Sequence, residues 1–147
     1  MISYKYKLIK RDMRKILIVA LCALVTPSIA QFGVSFHQSN MPFLGFNYEI
    51  ADRFLPEIRL GTDTFLDDMS VEAVATYQFI DKEDVEVYAG LGGRANRAAG
   101  LVAPVGVHLF PFSAKKFGFH IELTPIFMED ADSPLIRGSW GIRYRFK

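Results

Sequence analysis

From residue 32 onward, apolar and polar residues alternate with a period of two, and turn-forming residues break the alternation at short intervals. No window sustains a helical period. The pattern predicts eight strands, over 32–37, 43–50, 55–62, 71–79, 85–94, 101–110, 117–127 and 136–146. The breaks hold Ser39-Asn40-Met41-Pro42, Ala51-Asp52, Asp67-Asp68, Asp81 to Asp84, Asn96 to Gly100, Pro111 to Lys116 and Glu129 to Pro134. These are turn-supplying residue types. Eight strands at such regular spacing predict a sandwich or a barrel.

The two faces of these strands differ. One is apolar and bulky, as in Leu44, Phe46, Tyr48 and Ile50, or in Ile136, Trp140, Ile142, Tyr144 and Phe146. The other is polar or small. It carries His37, Asn47, Thr76, Gln78, Tyr88, His108, His120, Thr124 and Ser139, with Gly45, Gly61, Gly90, Gly92, Gly106, Gly118 and Gly141. It also carries five acids (Glu49, Glu57, Glu72, Glu86, Glu122) and five arginines (Arg59, Arg94, Arg137, Arg143, Arg145).

Which face is inside follows from volume. Eight strands enclose room for side chains or one small ligand. The bulky face would crowd that space and leave the glycines bare to solvent. Turned outward, it makes the apolar band of a membrane-spanning barrel around a narrow polar lumen. The ten charges then form an internal ion-pair network, because an unpaired buried charge costs several kcal/mol. The sequence therefore predicts an all-β chain, an eight-stranded antiparallel up-and-down transmembrane β-barrel with a plugged lumen and no channel. Aromatic residues collect near strand ends. Tyr48, Tyr77, Phe79, Phe112, Phe117, Phe119, Tyr144 and Phe146 fall to one rim, and Phe36, Phe43, Phe65, Phe127 and Trp140 toward the other, as two interfacial girdles would require. A soluble eight-stranded barrel or sandwich, burying the apolar face around an apolar ligand, is the rival architecture.

The N-terminal segment changes the charge picture. Arg14 and Lys15 precede ten apolar residues, Ile16 to Val25, and Ser28-x-Ala30 forms a small-x-small cleavage pattern. The run rises only about 15 Å as helix, half of a hydrocarbon core. Residues 1–30 are thus expected to be an N-terminal extension plus a cleaved signal peptide, and residues 31–147 the barrel. Cys22 follows Leu21 rather than a small residue, which argues against lipidation. It leaves with the leader, so no disulfide is expected. The whole chain has a formal net charge of +1, but the mature part carries 11 basic and 15 acidic residues, a net of −4. No basic, aromatic-interleaved patch for nucleic acid is present.

On this strand count, on the alternation and on the closing strand Trp140-Gly141-Ile142-Arg143-Tyr144-Arg145-Phe146, the mature chain resembles the small eight-stranded outer-membrane barrels of Gram-negative bacteria, the OmpX-like and OmpA-type group. The resemblance implies Sec-type export, residence in the outer membrane, contact with its lipid and lipopolysaccharide, and recognition of the terminal strand by the barrel assembly machinery. Lys147 after Phe146 departs from the family's terminal aromatic. The implied function is a structural or interaction role in the cell envelope, without enzymatic activity and without a cofactor.

Other chemistry is weighed on particular residues. His37-Gln38-Ser39-Asn40 resembles the His-x-Ser-Asn segment of outer-membrane lipid A deacylases. That would make His37 a base, Ser39 a nucleophile and Glu49 the orienting acid of a lipid-facing esterase. The family's motif lies in a later strand, and a polar strand end running into a turn explains the same residues. His120 and Glu122 share a strand face, and with His108 could be metal ligands; hydrogen bonding in the lumen is the simpler reading. Leu91-Gly92-Gly93-Arg94 lacks the Lys-Ser/Thr and helix of a phosphate loop. Acidic residues at 63–68 and 129–132 lie in expected outer loops, where divalent cations or plain solvation would suit them.

Overall fold

The computed structural model describes residues 32–63 and 68–146. The expected leader, the girdle residue Phe65 and Lys147 lie outside the described residues. The strands are β1 (Phe32–Gln38), β2 (Phe43–Tyr48), β3 (Phe54–Gly61), β4 (Val71–Asp81), β5 (Val85–Ala95), β6 (Gly100–Val102), β7 (Val105–Leu109), β8 (Phe117–Met128) and β9 (Leu135–Phe146).

Strands β6 and β7 are two halves of one stave. Both pair with β5 and with β8 in a single unbroken register. The interruption falls at Ala103-Pro104, because Pro104 has no N–H to give the ladder. The flanking bonds survive, Gly90 N–H to Pro104 O at 2.8 Å and Ala103 N–H to Pro125 O at 3.1 Å. Counted this way, eight antiparallel staves each pair with their sequence neighbour. The last closes on the first, from Phe32 opposite Phe146 to Gln38 opposite Trp140. Among the described residues no sheet edge remains open.

Most strand ends fall within one residue of the sequence reading, and two differ by two residues. Strand β2 stops at Tyr48 rather than at residue 50, because Ala51 and Asp52 take left-handed φ of 52° and 61° and turn the chain. Strand β4 runs on to Asp81 through a register shift between Gln78 and Ile80, which leaves both Phe79 and Ile80 exposed.

Side-chain alternation sorts the wall in one sense. Arg59, Arg137 and Glu122 are each 1% exposed, while Leu91 is 72%, Leu101 67% and Trp140 63% exposed. The expectation that only polar or small residues face inward needs correction. Phe43, Leu55, Val74, Val102, Phe110 and Ile126 are also buried inside. Phe43, assigned to a girdle by its strand-end position, turns into the lumen instead, with its neighbour Leu44 turned away. Val74, Val102 and Ile126 pack with Met41, Met128 and Leu135 near the end bearing segments 39–42, 96–99 and 129–134 (the loop end). Leu55 and Phe110 lie toward the opposite end, where the described chain begins and finishes.

Candidate functional site

The lumen between those apolar groups holds a charged interior. Register builds it: Arg59 on β3 faces Glu72 on β4, and Glu72 faces Arg94 on β5. Arg59 is the hub. Its guanidinium donates to Glu122 Oε1 and Oε2 at 2.8 and 2.7 Å, to Glu72 Oε1 at 3.0 Å and to Glu57 Oε2 at 3.1 Å. Arg137 reaches across from β9 and grips both oxygens of Glu72 at 2.9 and 3.0 Å. Arg94 adds Glu72 Oε2 at 3.3 Å, Ser70 Oγ at 3.0 Å and the Arg97 carbonyl at 2.8 Å. Tyr88 donates its hydroxyl proton to Glu122 at 2.9 Å. The planar guanidinium fork suits such multiple bonding better than an ammonium would.

A second cluster occupies the terminal end. Arg145 pairs with Glu86, has its Nε 4.0 Å from Glu49 Oε2, and lays its guanidinium 3.9 Å above the Phe110 ring. Glu86 also accepts from Gln78 Nε2 at 2.9 Å and lies 3.1 Å from His108 Nδ1. With its Nδ1–H donating to Glu86 Oε2, His108 leaves Nε2 to accept from Arg143 at 3.2 Å. Arg143 donates as well to Asn47 Oδ1 at 3.1 Å. Of the ten charged lumen residues named from sequence, nine enter ion pairs with one another; Arg143 instead bonds neutral groups.

Between the clusters a histidine row crosses the wall. His37 lies opposite Gly141, Gly141 opposite His120, and His120 opposite His108. Ring centroids are 4.1 Å apart for His37 and His120 and 6.1 Å for His108 and His120. Among the described residues, neither ring nitrogen of His120 has a hydrogen-bond partner. Gly141 makes room for this row: a Cβ there would collide with the Phe36 carbonyl and stand 2.8 Å from the His120 ring.

The esterase residues are not assembled. His37 Nε2 sits 3.2 Å from Ser35 Oγ and 3.3 Å from Glu57 Oε1, while Ser35 itself donates to Glu57. Ser39 is spent on a turn, donating to Met41 O at 2.7 Å and accepting from Met41 N–H at 3.0 Å. Glu49 lies beyond the Tyr48–Phe32 pair, whereas His37 faces Phe43 at the opposite end of the β1–β2 ladder. Five to six residues of strand, about 18 Å, separate them. Sequence reasoning missed Ser35 and Ser70 as lumen partners. The signal was available, since Ser35 shares its face with His37.

No known protein family and no curated protein matches this sequence. Solved structures do match its shape. The de novo designed protein TMB2.3 superposes with a TM-score of 0.59 at 16% identity, covering 80% of this chain and 94% of the design. The N-terminal β-barrel domain of Pseudomonas aeruginosa OprF gives a TM-score of 0.57 at 12% identity, over 80% of this chain and 96% of that domain. The chain therefore has the closed eight-stranded fold of small outer-membrane β-barrels. At these identities the likeness is one of backbone, and the lumen chemistry must be read from this chain's own residues.

Proposed function

We propose that the mature chain is an integral outer-membrane barrel, exported by the leader in residues 1–30, with a structural or interaction role in the envelope. One observation carries the reading: charged groups are buried inside while Leu91, Leu101, Ile121 and Trp140 are bare outside. A soluble barrel would pay twice for this, by desolvating ten charges and by wetting its aromatics. In a bilayer the same arrangement is favourable. Tyr48, Tyr77, Phe79, Phe117, Phe119, Tyr144 and Phe146 at the terminal end, and Trp140 toward the loop end, then serve as interfacial girdles. Lipopolysaccharide is the partner of the outer leaflet, and the assembly machinery reads the β9 strand. The lumen conducts nothing, because guanidinium–carboxylate pairs and apolar side chains occupy it. The ion-pair residues Glu49, Glu57, Arg59, Glu72, Glu86, Arg94, Glu122, Arg137, Arg143 and Arg145 are structural in this reading rather than catalytic.

The test is an unboiled-versus-boiled SDS gel of the outer-membrane fraction, followed by planar-bilayer recording. A heat-dependent mobility shift and a silent bilayer are expected. Recovery of unshifted protein from the soluble periplasm would refute membrane residence. Discrete conductance steps would refute the plugged lumen.

A further inference from the structure

We propose that Met41 is an oxidation site: hydrogen peroxide converts its thioether to a sulfoxide whose oxygen accepts from the Arg94 guanidinium, and the barrel keeps its fold. The mature part carries three methionines, Met41, Met69 and Met128, all half-buried at the loop end. Exposure does not separate them, but surroundings do. Arg94 Nη2 donates to Met41 Sδ at 3.5 Å. Among the described residues, the sulfurs of Met69 and Met128 have no such donor. Met69 offers its carbonyl, which accepts from Asn96 Nδ2 at 2.6 Å. Met128 leans on the apolar cluster of Val74, Val102 and Ile126. Met41 leans on the same cluster with its sulfur turned to the cation. Where the loop end faces the cell exterior, as in the reading above, it meets an external oxidant first.

Donor and sulfur are both held in place. Arg94 is 6% exposed and fixed by Glu72, Ser70 and the Arg97 carbonyl. The Met41 backbone is pinned on both sides by Ser39 Oγ. In the reaction a sulfur lone pair attacks one peroxide oxygen. The S–O bond forms, the O–O bond breaks, and the proton of the attacked oxygen passes to the departing hydroxide to give water. Sulfur is oxidised by two electrons and peroxide is reduced. A thioether is a weak acceptor and a sulfoxide oxygen a strong one, so the Arg94 bond strengthens as the oxygen arrives. An oxygen bonded to sulfur and set off the S···N line reaches the guanidinium at about 2.8 Å with neither group moving. At Met128 the same oxygen would be pressed on apolar side chains, which is how methionine oxidation ordinarily damages a core. Arg94 joins the segment at 39–42 to Ser70 and Arg97, so a stronger bond to Met41 ties this end more tightly.

The experiment treats the folded mature chain in detergent with hydrogen peroxide and follows oxygen uptake at each methionine by peptide mass mapping. Met41 should gain oxygen about tenfold faster than Met69 or Met128. Arg94→Leu should bring Met41 down to the rate of the other two; Glu72 keeps Arg59 and Arg137 in that variant. A urea titration of the chain oxidised at Met41 should give a midpoint equal to or above that of untreated protein. Met41→Gln, which places a carbonyl near the sulfoxide position, should exceed Met41→Leu in midpoint, whereas Met128→Gln should fall below Met128→Leu. Equal or faster uptake at Met69 or Met128 overturns the assignment. So does a lowered midpoint after oxidation of Met41. An unboiled gel checks that each variant is a heat-shifted barrel. If Arg94→Leu does not fold, the uptake rates of the unaltered chain and the Gln–Leu comparison at position 41 still decide the question.

Discussion

At the scale of single residues, Arg59 shows why a buried charge is tolerated here. Three carboxylates, Glu57, Glu72 and Glu122, converge on its guanidinium within 3.1 Å. Arg59→Met would leave those anions short of one cation in a dry interior, at a cost of about 3–5 kcal/mol. Trp140, the one Trp of the chain, faces outward on β9 and reports unfolding by its fluorescence in a urea titration. An unchanged midpoint would show that water reaches the hub. His120 predicts the opposite sign. Its ring is 1% exposed and both nitrogens are unpartnered among the described residues, so it carries desolvation without compensating bonds. His120→Leu should hold or raise stability, by about 1 kcal/mol. A clear loss in the same titration would mean that the ring makes polar contacts of value.

At the scale of elements, the seam between β1 and β9 closes the barrel. Gly141 stands at its tightest point, between the Phe36 carbonyl and the His120 ring. Three positions earlier on the same strand, a Cβ on Gly138 would meet nothing within 4 Å. Gly141→Val should therefore abolish the heat-shifted form on an unboiled gel, while Gly138→Val leaves it intact. Equal behaviour of the two would mean that β9 shifts to accept bulk. Pro104 makes a milder point about elements: it breaks one stave into β6 and β7, yet the register on both sides is held by the neighbours.

At the scale of the whole molecule, the decisive property is which solvent the outer wall meets. Leu123 is 50% exposed on β8, midway between the strand's ends. Leu123→Arg should cost about 2–4 kcal/mol if that wall faces hydrocarbon. On a water-facing wall the substitution would be neutral within about 0.5 kcal/mol. Unfolding from lipid vesicles measures the difference directly, and the neutral outcome would contradict the membrane reading.

Period-two alternation, turn residues and chain length were enough to determine strand number, strand order and which side chains share a face. Strand Leu135–Phe146 illustrates this, since every second residue from Arg137 to Arg145 is buried. Volume and charge balance then pointed the polar face inward. Tertiary structure decided what alternation leaves open, because facing the lumen does not choose a partner there. Stagger between strands sent Arg59 to Glu122, 63 residues away, and put Ser35 rather than Ser39 beside His37. The pleat that turns Gly45 and Asn47 inward turns Phe43 inward as well, and closure seats it under the Arg137 guanidinium, 4.3 Å from the ring. Face is a property of one strand and its pleat, whereas pairing is a property of register across several strands, and register is set only when the barrel closes.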